Sequence, residues 1–338
     1  MSTFIKKDLD IISKDYEIVL FEFRQTRKNI FLLEFSRQLL FLIKHTFSSK
    51  RIVCMFGGYH SLLPSIYGWL MHTPVWIMLG GYDCYSFSKI NYGAFHKKLF
   101  SKVVSISYHF ANLLSPVHAS MINEPYTYYD SGYPNQGVRY FLPDLKTKIE
   151  TINNGYEPNK FPDLGLNRKP MSFLTVASET TGASFFRKGI DLILEIAPFF
   201  PDFSFTIIGK TPEQLLDSSE NVHFMPFVPY ESLKNIYNEH QFYLQLSIAE
   251  GFPNALSEAM LCGCIPIGSN VFGIPDLIGE TGFILKRRDL TLLKALFTQI
   301  QNDDLNRLEG KARKRVSELF NLKLRENAIL KVLAELKP

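Results

Sequence analysis

Leu246-Ser-Ile-Ala-Glu250-Gly-Phe-Pro-Asn-Ala-Leu-Ser-Glu258-Ala-Met260 is the stretch on which the reading of this chain turns. The apolar run 242–246 before it has the length of a buried strand. Gly251 and Pro253 break that strand, Asn254 is a good N-cap, and 255–261 favours helix. A strand, a glycine turn and a helix start gather free backbone N–H groups at one point, a cradle for an anion or for hydroxyls. Glu250 stands at its mouth and Glu258 one turn into the helix. Acceptor-only carboxylates so placed suit a polyhydroxylated ligand, because each can hold vicinal hydroxyls. Two glutamates alone are ordinarily a solvated loop residue and a helix-face residue. Here they flank Gly-Phe-Pro at a strand-to-helix turn and precede Gly263-Cys-Ile-Pro266, which favours a ligand site.

Working outward, strand-like runs alternate with helical ones. In the first half the pattern predicts helices at 4–13, 29–46, 61–71 and 94–110, with strands at 17–23, 52–56, 75–79, 112–117 and 148–153. Residues 155–170 are rich in turn formers and read as a linker. The alternation then restarts, with strands at 172–177, 204–208, 222–225, 242–246 and 265–268. Helices are expected to begin near Lys188, Thr211, Tyr230 and Asn254, and a helical tail from Leu290. Such alternation implies right-handed crossovers and parallel sheets, with ligand held facing the carboxyl ends of the strands.

Composition narrows the class. At 338 residues, 46% hydrophobic and 21% charged, the chain is neither disordered nor fibrous. Cys54, Cys84, Cys262 and Cys264 fit no disulfide framework and no zinc spacing, so a reducing compartment is expected. Met1 to Lys7 is basic, but no secretory core follows it. Residues 52–82 carry no charge, yet Gly57-Gly58, Pro64, Pro74 and Gly80-Gly81 punctuate them too often for a spanning helix. Residues 1–165 hold 18 Lys and Arg against 13 Asp and Glu, whereas 166–338 hold 19 against 20. The basic excess is therefore confined to the first half, which suits an anionic surface such as a membrane; Lys6, Lys7, Arg24, Arg27, Lys28, Arg37 and Lys44 are its carriers. No basic stripe with interleaved aromatics argues for nucleic acid. Asp8-Leu-Asp10, the one D-x-D match, lies on an expected helix where residues two apart diverge, so no metal site is expected.

Glu250-Gly-Phe-Pro-Asn-Ala-Leu-Ser-Glu258-Ala-Met, then Gly263-Cys-Ile-Pro-Ile-Gly-Ser-Asn-Val-Phe-Gly273-Ile-Pro275 and Gly282-Phe-Ile, resembles the retaining glycosyltransferases of family 4. The resemblance is dense from about 172 to 285, and Ile152-Asn-Asn-Gly155-Tyr-Glu looks like that family's interdomain segment. It implies an α/β fold of the GT-B kind, two Rossmann-like doubly wound domains facing across a cleft. Their bounds would be an acceptor domain at 1–155, a linker at 156–170, a nucleotide-sugar domain at 171–320, and a helix at 321–338 packing back on the first domain. The chain opens at what resembles the family's first helix, so the family's first strand and glycine-rich loop are expected either to lie upstream of Met1 or to be dispensed with in this sheet.

The resemblance also implies roles. Glu250 would face the transferred sugar and stabilise developing positive charge. Backbone N–H groups of Gly251, Phe252, Asn254 and Ala255 would meet sugar hydroxyls or the β-phosphate; Glu258 would hold the ribose, with Phe227 and Val228 beside the base. Phe185-Phe-Arg187-Lys188-Gly-Ile-Asp191 is similar to the family's Lys-Gly element, so Lys188, with Arg187, would neutralise the diphosphate without a metal or other cofactor. Where the family often has a histidine, this chain reads Gly80-Gly81-Tyr82-Asp83; Gly81, Tyr82, Asp83 and His60 are the acceptor-side candidates.

The expected activity is transfer of a hexose-type sugar, with retention, from a nucleotide diphosphate sugar to a glycan or lipid-linked acceptor in polysaccharide or glycolipid synthesis. The enzyme would be cytoplasmic and peripheral at the inner membrane. Another GT-B activity (epimerase or phosphorylase) and a non-catalytic partner subunit are the alternatives.

Overall fold

The computed structural model describes residues 3–24, 31–179, 182–210 and 219–336. Arg27, Lys28 and the helix expected near Thr211 lie outside them. The first lobe runs α1 (Thr3–Ile12), α2 (Phe31–His45), β1 (Ile52–Met55), α3 (Tyr59–Leu70), β2 (Val75–Leu79), α4 (Lys98–Phe110), β3 (Leu113–Pro116), the short strands β4 (Glu124–Pro125) and β5 (Asn135–Gln136), α5 (Val138–Phe141) and β6 (Lys148–Ile149). The second runs β7 (Lys169–Glu179), α6 (Gly182–Arg187), α7 (Ile190–Ile196), β8 (Ser204–Lys210), β9 (Val222–Met225), α8 (Tyr230–Glu239), β10 (His240–Gln245), α9 (Asn254–Leu261), β11 (Ile265–Ser269), α10 (Gly273–Ile278) and β12 (Phe283–Leu285). Helices α11 (Leu290–Asn302), α12 (Lys311–Leu319) and α13 (Leu322–Glu335) complete the chain.

Each lobe is built on a parallel sheet. The first has the order β1-β2-β3-β6 and the second β12-β11-β10-β7-β8-β9. Val75–Leu79 and Ile265–Ser269 are buried along their whole length, as strands covered on both faces must be. The four cysteines are free and buried, as expected of small core residues. Among the described residues, no helix is long and apolar enough to cross a membrane.

Three expectations need correction. Among the described residues, 17–23 form no strand and join no sheet; Phe21 packs on Phe41 and Phe23 on Phe31 and Phe35. A groove of about 950 Å³ is lined by this segment and by β1. Alternation reports which side chains face an apolar surface; pairing also needs a strand edge within about 5 Å. The helix expected from Ala94 starts at Lys98, because Gly93 takes φ +99° and His96 folds back onto the Gly93 carbonyl and Asn91. The last strand of the first lobe ends at Ile149, and beyond it the carbonyls of Ile152 and Asn153 accept from Arg325.

That arginine belongs to α13, which crosses back to the first lobe. Ile329, Val332 and Leu333 pack with Ile11, Ile12, Trp76, Met78, Leu113 and Ile152. Arg325 also forms a bidentate pair with Asp8 of α1, both bonds at 2.7 Å and both side chains buried. At the crossing a Cβ on Gly155 would lie 2.7 Å from Leu322 Cα, so only glycine lets the two segments meet there.

Candidate active site

Buried β10 delivers the chain to the cleft, where Gln245, Ser247 and Glu250 form one polar cluster. Lys188 Nζ donates to Glu250 Oε1, and Arg187 Nη1 reaches the same oxygen at 3.3 Å. Ser247 and Gln245 donate to it at 3.3 and 3.4 Å. Burial alone would raise the Glu250 pKa; the charges of Lys188 and Arg187 and the hydrogen bonds outweigh it and hold the group below the usual range. Glu250 is thus an ionised carboxylate facing two cations contributed from 62 and 63 residues away. Gln245 and Ser247 were not anticipated; their place at the end of the strand leading to Glu250 was the available signal.

The basic pair does not enter a helix, as its sequence suggests. Arg187 ends α6, and the turn through Lys188 and Gly189 separates it from α7. Gly189 has φ +73°, and a Cβ there would lie 2.4 Å from the Leu246 carbonyl oxygen. This close approach brings the cations beside β10.

Glu258 is buried within α9 and accepts from Tyr230 at 3.1 Å and Tyr237 at 3.5 Å. Burial pushes its pKa up to about 7, against the pull of Lys7 and the two hydroxyls. Lys7, read from sequence as a surface charge, instead lines a small polar pocket with Asp8, Tyr230, Asn254, Glu258 and Arg325, and burial lowers its pKa. Asn254 is the first residue of α9 and makes no cap; its Oδ1 accepts from Tyr156 at 2.9 Å and Asn154 at 3.3 Å. The Phe252 ring is buried against His118 and Phe320, so its backbone alone is left for a ligand. Gly251 and Ala255 flank these residues at the helix start, Phe227 is 71% exposed and Val228 half-buried.

The acceptor-side candidates separate. Asp83 is buried and accepts from the amides of Gly57 (2.9 Å), Gly80 (3.1 Å) and Gly81 (2.8 Å), so it ties two loops together and does not face the cleft as a free base. Gly81 lies against Gly251, where a Cβ would come within 3.1 Å of the Gly251 nitrogen. Tyr82 is exposed and edge-on to Tyr92, whose ring lies under the Arg187 guanidinium at 4.9 Å. His60 turns its Nε2 to the Met55 carbonyl at 2.8 Å and lines the groove beside β1. His118 pairs with Asp276 across the lobes at 3.0 Å. Among the described residues no cluster could hold a metal ion.

Two parallel-sheet lobes with Glu250 and the cationic turn between them define a GT-B protein. Residues 177–318, which include Lys188, Glu250 and Glu258, match the family of glycosyl transferases group 1. It is 28% identical over 214 residues to the amylovoran biosynthesis glycosyltransferase AmsK of Erwinia amylovora, covering 56% of this chain and 51% of AmsK. The chain spans about half, or less, of the length of such curated relatives. Sucrose-phosphate synthase from Thermosynechococcus elongatus shares the fold with a TM-score of 0.69 at 17% identity, over 93% of this chain and 80% of that one. Anabaena Alr3699/HepE in complex with UDP does so with a TM-score of 0.65 at 13% identity, over 88% and 82%.

Proposed function

We propose that the protein is a retaining glycosyltransferase moving a hexose-type sugar from a nucleotide diphosphate sugar to a glycan or lipid-linked glycan. The observation that carries this is the Glu250 carboxylate held by Lys188 and Arg187. Two cations at one point match a diphosphate, and a carboxylate beside them matches a sugar becoming oxocarbenium-like. The family match over residues 177–318 and the UDP carried by a protein of like fold support the same reading.

In this scheme the bond from the anomeric carbon to the leaving phosphate oxygen breaks, and its electron pair stays on the phosphate. Lys188 and Arg187 neutralise that charge without a metal. The acceptor hydroxyl attacks from the face the phosphate leaves, and its proton passes to the phosphate. Amides of Gly251, Phe252, Asn254 and Ala255 orient sugar and phosphate, Glu258 holds the ribose, and Phe227 and Val228 flank the base. Gly81 and Tyr82 border the acceptor. Polysaccharide or glycolipid synthesis at the inner face of a membrane is the setting, with the basic and apolar α2 side of the first lobe against anionic lipid.

Incubation with a panel of nucleotide diphosphate sugars and lipid-linked glycans, with proton NMR of the product, tests the reading. It requires a new glycosidic bond with the donor's anomeric configuration. Donor conversion to an epimer without transfer, or an inverted product, would refute it.

A further inference from the structure

We propose that Phe272 is a positioning residue: its ring clamps the first lobe onto the second and thereby fixes the strand end that carries Glu250. The catalytic part of this inference rests on the transfer reading above; the clamp itself does not.

The backbone supplies the first observation. Phe272 has φ +47° and ψ −120°, a conformation that side chains with a Cβ rarely adopt. Glycine would suit the turn better, so the phenyl group is explained by what it touches. Its ring is buried and lies 4.0 Å from that of Tyr85, the planes 7° apart. It also stacks on Tyr126 at 5.5 Å and meets the edge of Phe87 at 6.3 Å. All three partners belong to the first lobe.

The second observation is what those tyrosines do at their far ends. The Tyr126 hydroxyl donates to the Ile248 carbonyl at 2.7 Å, and the Tyr85 hydroxyl to the Glu250 carbonyl at 3.4 Å. Burial raises both phenol pKa values, which keeps them as donors. Phe272 on one side and Ile248 to Glu250 on the other therefore form a jaw around two first-lobe tyrosines. The Gly81 contact with Gly251 lies beside it, so small relative movements of the lobes are felt at the Glu250 main chain. Loss of the ring frees that main chain while leaving Lys188, Arg187 and Glu258 in place.

Phe272→Gly removes the ring without backbone strain, and Phe272→Tyr restores an aromatic face. Small-angle scattering of the full chain should show a larger radius of gyration for the glycine variant and a wild-type value for the tyrosine variant. UDP affinity by calorimetry should stay within about twofold, while kcat falls at least ~10-fold with donor KM little changed. Phe272→Tyr should recover most of the loss. Wild-type scattering and kcat in Phe272→Gly would overturn the proposal, as would a matching loss of UDP affinity, which would place the effect inside the second lobe. If the wild-type chain transfers no sugar, the transfer reading fails while scattering still decides the clamp.

Discussion

Glu250 stands between two cations that would otherwise repel each other, so its removal affects stability as well as chemistry. Glu250→Gln should abolish transfer and lower the stability of the ligand-free chain by roughly 1–3 kcal/mol, read by urea unfolding. UDP should then stabilise the variant at least as much as wild type, because its phosphates replace the lost negative charge; a smaller gain would argue against a diphosphate at Lys188 and Arg187. Glu258 gives a pH signature. Its pKa of about 7 in the fold lies above the ordinary carboxyl value, so the folded state holds a proton the unfolded state has released. Stability from this group is complete below about pH 4.5 and declines as pH rises to about 7, by up to roughly 3 kcal/mol. Glu258→Gln should flatten that decline and unfold at a higher temperature than wild type at pH 8. The spacing of these glutamates was legible in sequence because strand, turn and helix start are local signals. Their partners were not, since Lys188 reaches Glu250 only through the approach of Gly189 to Leu246.

At the level of elements, the contact between α1 and α13 rests on Asp8 and Arg325. A charge buried in a bidentate pair is costly to orphan. Arg325→Met should therefore destabilise by roughly 3–5 kcal/mol in urea unfolding, and adding Asp8→Leu should recover part of the loss. A double variant no better than the single one would show that the carbonyls of Ile152 and Asn153 are what the guanidinium chiefly serves. Nothing local marks Asp8 as buried; only the return of a helix more than 300 residues later encloses it. Residues 17–23 teach the converse: their alternation reads as a strand, yet they form none and join no sheet among the described residues.

Across the whole molecule, the uneven charge gains a face. Helix α2 exposes Leu32, Leu33, Leu40 and Ile43, followed by Phe47, and Lys44 is exposed among them. Binding to anionic vesicles should weaken by about 1 kcal/mol for each of Lys6, Arg24 and Lys44 changed to alanine, and fall as salt rises. Unchanged binding would remove the membrane from the proposal. The two-lobe plan was readable because the strand–helix alternation visibly restarts. How the lobes meet was not, since Phe272, Tyr85 and Tyr126 are distant in sequence and look like ordinary core aromatics. The return of α13 has one more effect, on biosynthesis. Trp76, Met78 and Leu113 are made some two hundred residues before Ile329 and Val332. At ~5–20 residues per second, that sheet face has only the earlier Ile11 and Ile12 against it and lacks α13 for roughly ten seconds or longer. The first lobe is begun first but finished last, its apolar face completed only when α13 returns.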